Sequence, residues 1–145
     1  MDYSALTSTD LLGLAVWREA RGEGPIGRRG VAHVIVNRVS EPSWWGHDIP
    51  SVVLCKYQFS SFNPGDPNET KFPDPEDPEY QDIAAMCLGV IGGTDSDVTS
   101  GAQWYIDTSI SPPSWTEALD VSLRVGRLTF YRKRRFVVTD PEIGT

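Results

Sequence analysis

The sequence predicts an α+β fold, mainly α, in one domain. Residues 9–91 carry four stretches of helix-spaced apolar side chains, each bounded by glycine, proline or a capping residue. After residue 103 the spacing turns strand-like, interrupted by Gly126. The 145 residues, 39% hydrophobic and 23% charged, have the size and composition of a soluble globular domain with one core. No repeat or linker divides the chain, so a single domain over 1–145 is expected, with its core at about 9–138.

Residues 1–7 read as a short, weakly ordered lead-in. Ser8 or Thr9 can cap a first helix over about Thr9–Arg21, with Asp10 in the first turn where the helix dipole favours negative charge. Gly22 to Gly24 stop it, and Pro25 opens a second helix through about Val39, with Val31, Val34, Ile35 and Val36 on its apolar side. His33 in that helix reads as a partly buried polar residue. Residues 40–48 are loop-like, and adjacent Trp44 and Trp45 cannot both be buried on one regular face. A short helix begun by Pro50 is expected over Ile49–Lys56.

Asn63 to Pro78 holds five prolines and many acids without apolar period, which predicts an ordered surface loop. A helix follows over 79–91, ended by Gly92-Gly93. Strands are expected at Gln103–Ile106 and within Leu119–Tyr131, and Pro112, Pro113 and Trp115 between them make a rigid loop with an aromatic anchor. Phe136-Val137-Val138 either extends the sheet or frays.

Composition narrows the partners. A net charge of −7 and a pI near 4.7 argue against nucleic acid. Arg124, Arg127, Arg132, Lys133, Arg134 and Arg135 concentrate positive charge near the C-terminus, and a solvated face is favoured there over a site for an anionic polymer. No stretch is long enough to insert in a membrane, and no basic segment followed by an apolar one marks a leader. Cys55 and Cys87 read as two buried free thiols, with a single disulfide as the alternative. Two histidines, no HExxH and no CxxC argue against a metal site, and the carboxylates Asp74, Glu76, Asp77, Glu79 and Asp82 lack the spacing of a calcium loop. No cofactor and a monomer are expected.

The chemistry concentrates at Trp17-Arg18-Glu19-Ala20-Arg21-Gly22-Glu23-Gly24-Pro25. Glu19 shares a helix face with Leu12, Ala15 and Val16, and a carboxylate there is costly without a partner or a purpose. Apolar walls and the negative helix end favour its protonated form, unless Arg18 or Arg21 folds back onto it. A protonated carboxyl in a cleft is what glycosidic cleavage requires, because the leaving oxygen must receive a proton.

The motifs LLGLAVWREARGEGPIGRRGVAHVIVNRV at 11–39, QFS at 58–60, GAQWY at 101–105, PSW at 113–115 and VGRLTFYR at 125–132 resemble the SleB-type cell wall hydrolase family, over about residues 9–132. The resemblance implies a lysozyme-like, mostly helical domain with a small antiparallel β-sheet, acting as a lytic transglycosylase on the peptidoglycan glycan strand. It makes Glu19 the catalytic acid, and gives Glu23, Gln58, Ser60, Trp104 and Tyr105 substrate-binding or supporting roles. The family pattern has Thr-His-Tyr where this chain has Gln103-Trp104-Tyr105, and a histidine near Leu128-Thr129.

A single acid suits transglycosylation, in which the sugar's own 6-hydroxyl attacks the anomeric carbon to leave a 1,6-anhydromuramoyl end. A hydrolase needs a second carboxylate across the cleft, for which Asp107 and Asp120 are the nearest candidates, each better read as a loop or surface acid. Trp44, Trp45, Phe59, Trp104 and Tyr105 can stack on sugars or fill the core, and at least two are expected in the core. The competing reading is a non-catalytic wall-binding or virion structural module on the same fold, which would have no use for an acid at Glu19. With no leader, synthesis in the cytoplasm and delivery as an endolysin or a virion-borne lysin are expected, as for a bacteriophage enzyme.

Overall fold

A computed structural model of the chain describes residues 2–134. Four helices come first: α1 (Ser8–Ala20), α2 (Pro25–Ser40), α3 (Ile49–Val53) and α4 (Pro78–Ile91). The strands β1 (Trp104–Asp107), β2 (Leu119–Val125) and β3 (Leu128–Lys133) form one antiparallel sheet in the order β1-β3-β2. The domain is thus α+β and mainly α.

α1 is the central element. Leu11, Leu12, Leu14, Ala15, Val16 and Ala20 are all buried, which is why the run lacks a polar face, and α2, α3 and α4 pack around it. Thr7 caps it by accepting a hydrogen bond from the Asp10 amide, one residue before the expected cap. α3 is shorter than the expected Ile49–Lys56. An Asp48–Ser51 capping box starts it, but the chain turns after Val53 and Tyr57 adopts φ 65°. The lead-in is also better ordered than expected, because Tyr3 is buried and meets Phe62 edge-on at 5.1 Å.

The sheet closes on the helices at Gly30 and Phe130. A Cβ on Gly30 would clash with the tip of the Phe130 ring, so only glycine lets α2 lie this close to β3. Trp45 is buried and Trp44 is 65% exposed, which splits the pair as their adjacency demanded. Both cysteines are free. Cys87 is buried, its thiol pushed up to about 12 by burial, whereas Cys55 is half-buried rather than enclosed, because it lies in the turn after α3. Arg127, Lys133 and Arg134 pair with Asp107, Glu41 and Asp120, consistent with a solvated face for much of that cluster. Arg135 and the 136–138 segment lie outside the described residues.

Between α4 and β1 the chain is pinned to α2 by two carboxylates. Asp97 accepts hydrogen bonds from Asn37 Nδ2, Thr99 Oγ1 and the amides of Thr99 and Gly101. Asp95 accepts from Arg29 Nε at 3.0 Å and sits 2.7 Å from Nε2 of buried His33. Burial alone would raise both carboxyls, but these hydrogen bonds outweigh it and hold both below the usual carboxylate value. A depressed folded value adds stability above the unfolded pKa of ~3.9, and that stability is lost as pH falls through the folded value. The unfolding temperature is therefore expected to drop below about pH 4, and Asp97→Ala to lower it at pH 7 while flattening the acid limb. Calorimetry against pH checks this, and an acid limb unchanged in the variant would remove Asp97 from that role.

Candidate active site

Glu19 lies in the last turn of α1, on the floor of a cleft of about 680 Å³ between the helices and the sheet. Its walls come from the end of α2 (Arg38), the loops on either side of α3 (Trp44, Tyr57, Gln58, Phe59, Ser60), β1 (Trp104 to Asp107), and Trp115 and Leu119. The Tyr105 hydroxyl donates to Glu19 Oε1 at 2.8 Å, and the Ser61 amide donates to Oε2 at 3.3 Å. One donor thus comes from the sheet and the other from the 3₁₀ turn at Ser60–Phe62.

The Tyr105 ring packs on Phe130 and Phe59, with centroids 5.7 and 6.4 Å away. Desolvation, then the Glu19 charge and hydrogen bond, hold its phenol well above the usual range, so it stays a protonated donor. Neither neighbouring arginine touches Glu19. Arg18 turns away to Tyr3 Oη and the carbonyls of Ser61, Glu69 and Lys71. Arg21 stacks on Trp17 and donates to Asn68 Oδ1.

Glu19, Gln58, Ser60, Trp104 and Tyr105, picked from the sequence, all line the cleft. Glu23 does not. Its carboxylate accepts from the Arg127 amide at 3.0 Å in the β2–β3 turn. There Gly126 adopts φ 56°, and a Cβ on it would overlap the Glu23 carboxylate. Glu23 therefore ties the α1–α2 turn to the sheet; its position past the helix end points it at the hairpin, not at Glu19. Asp107 lines the cleft, where the Ser109 amide and Arg127 hold its carboxyl below the usual range. Asp120 lies away from it on β2, opposite Arg132. Of the candidate aromatics, Trp45 and Phe59 are buried, and Phe59 lines the cleft together with Trp44, Trp104 and Tyr105.

Sequence reasoning missed Ser61, Arg38, Tyr57 and Trp115. Ser61 contributes a backbone N–H, which any residue type would supply, so no side-chain pattern marks it. Arg38 reads in sequence as the polar end of a helix, yet it is buried, with Nε donating to the Gln103 carbonyl at 2.7 Å and Nη1 to Gln58 Oε1 at 3.2 Å. Tyr57 and Trp115 are 71% and 45% exposed at the cleft, and Trp115, in a 3₁₀ turn over Ser114–Ala118, anchors that segment by meeting Tyr131 edge-on at 6.1 Å.

Two solved structures share this fold. The catalytic domain of the Bacillus cereus SleB protein aligns with TM-score 0.70 at 24% identity, covering 86% of this chain and 89% of that one. The catalytic domain of the germination-specific lytic transglycosylase SleB from Bacillus anthracis aligns with TM-score 0.69 at 22% identity, covering 91% of this chain and all of that one. No curated protein sequence matches. The profile of the family described as Cell Wall Hydrolase matches residues 22–131, most of the chain, beginning just after Glu19. The chain belongs to the cell wall hydrolase family.

Proposed function

We infer that the protein is a lytic transglycosylase that cuts the β-1,4 bond between N-acetylmuramic acid and N-acetylglucosamine in peptidoglycan. The observation that carries this reading is the setting of Glu19, a half-buried carboxyl on the cleft floor between two fixed donors. In the first step Glu19 gives its proton to the glycosidic oxygen as the bond to the anomeric carbon breaks. The carboxylate left behind keeps its hydrogen bonds from Tyr105 and Ser61, which are in place beforehand and need no reorganisation. It then takes the proton of the sugar's 6-hydroxyl, whose oxygen bonds to the anomeric carbon and closes the 1,6-anhydro ring. Exposed Trp44, Tyr57 and Trp115 offer apolar faces on which the sugars of the strand stack.

A second reading rests on Asp107, since a carboxylate at the cleft is what a hydrolase would need to activate water. The Asp107 carboxyl is already engaged by Ser109 and Arg127, which favours the single-acid route. Mass spectrometry of digested sacculi separates the two. The expected products are 1,6-anhydro muropeptides, one water lighter than hydrolysed ones, and Asp107→Asn is expected to keep clearing sacculi. Reducing ends throughout, with clearing lost in Asp107→Asn, would establish the hydrolase. Tyr105→Phe removes one of the two donors and is expected to lower kcat about 10- to 100-fold with little change in KM. A loss confined to KM would make Tyr105 a binding residue only.

A further inference from the structure

Arg38 is a buried cation for which the described residues supply no carboxylate. It is 5% exposed, with its guanidinium 5.1 Å from the centre of the Trp45 ring and 5.5 Å from that of Phe59. Both acceptors it has, the Gln103 carbonyl and Gln58 Oε1, are neutral, and they occupy Nε and Nη1. Among the described residues Nη2 has no acceptor, and the side chain lines the cleft. The carboxylates that share the cleft are committed to other donors, Glu19 to Tyr105 and Ser61, and Asp107 to Ser109 and Arg127. A charge taken out of water without a counter-charge is costly, and a guanidinium edge offers parallel donors matched to a carboxylate. Burial pushes the Arg38 value down to about 10, so it stays charged at neutral pH and its charge is under-compensated.

We propose that Arg38 is the substrate-carboxylate site of the cleft, its Nη2 edge receiving a carboxylate carried by the muramoyl unit. The assignment rests on the peptidoglycan reading above. Muramoyl units present this chemistry from two sources, the lactyl carboxylate where no peptide is attached and the carboxylates of the stem peptide where one is. Either supplies the missing counter-charge, whereas N-acetylglucosamine supplies none. Arg38 therefore sets specificity for the acidic sugar over its neutral neighbour.

The test compares wild type, Arg38→Lys and Arg38→Gln on intact sacculi, on glycan strands stripped of peptide, and in binding to chitohexaose, an uncharged N-acetylglucosamine oligomer. Arg38→Gln is expected to raise KM about 10- to 100-fold on one of the two anionic polymers, with kcat retained. A rise on stripped strands identifies the lactyl carboxylate, and a rise on sacculi identifies the stem peptide. Chitohexaose affinity should hold within about twofold, and Arg38→Lys should recover part of the loss because its charge remains. Equal losses on all three ligands, or a fall in kcat alone, would make Arg38 a packing residue and overturn the assignment. If wild type cleaves neither polymer but still binds chitohexaose, the lytic reading itself falls, and this one with it.

Discussion

Glu19→Gln is expected to lower the rate of clearing of purified sacculi by about 10²- to 10⁴-fold, with an unchanged circular dichroism spectrum. The amide has the shape of the acid and no proton to give. Its oxygen can still accept from Tyr105, but its NH₂ then faces the Ser61 amide, donor against donor, at a cost of about 1 kcal/mol. That cost is too small to unfold the domain and cannot account for the loss of rate. Clearing by the variant at the wild-type rate would remove Glu19 from the chemistry, whatever the fold.

The second large effect is expected at Arg18, the residue before Glu19 in α1. This buried guanidinium donates to Tyr3 Oη at 2.9 Å and to the carbonyls of Ser61, Glu69 and Lys71 at 3.3, 3.0 and 3.0 Å. It also lies 4.8 Å from the ring centres of both Phe62 and Phe72. One side chain thus holds the lead-in, the Ser60–Phe62 turn and the proline-rich loop to α1. Arg18→Ala strands these acceptors and is expected to cost about 3 kcal/mol in urea unfolding. Because the Ser61 carbonyl is released, hydrogen exchange at the Ser61 amide should quicken and activity should fall with it. Arg18→Lys, which supplies fewer donors without the planar fork, should fall between the two. A Ser61 amide as protected in Arg18→Ala as in wild type would show that the turn is held by other contacts.

Arg18 also shows where the sequence stops being readable. Local signals placed much of the helical half: Pro25 marks the start of α2, the apolar period over 79–91 misses only the first residue of α4 at Pro78, Gly92-Gly93 closes it, and the interruption at Gly126 falls between β2 and β3. Glu19 stood out because a carboxylate in an apolar stripe violates the pattern around it. The destinations of long polar side chains were not readable. Arg18 and Arg21 adjoin Glu19 in sequence yet reach loops some fifty residues away, because rings and free carbonyls there offer better partners. Glu23 belongs to the same motif as Glu19 but docks on a turn about a hundred residues on. Ser60 and Ser61 cannot be told apart by residue type, and it is the amide of the second that bonds Glu19. Trp44 and Trp45 were separable only in that one had to be exposed; the buried one is fixed by its Nε1 donating to the Arg38 carbonyl.

The strand order has a consequence for biosynthesis. β1 pairs with β3, the last described strand, and not with β2, which follows it in sequence. The ribosome therefore releases α1, with Glu19, long before the strand that fixes Tyr105 by register has been made. Tyr105 is set against Phe130 by register, so its hydroxyl reaches Glu19 only after the hairpin has emerged and folded back. A nascent or truncated chain that lacks β3 carries the acid without the arrangement around it. The arrangement around the acid arrives with β3, as a property of the folded domain rather than of the motif that marks it.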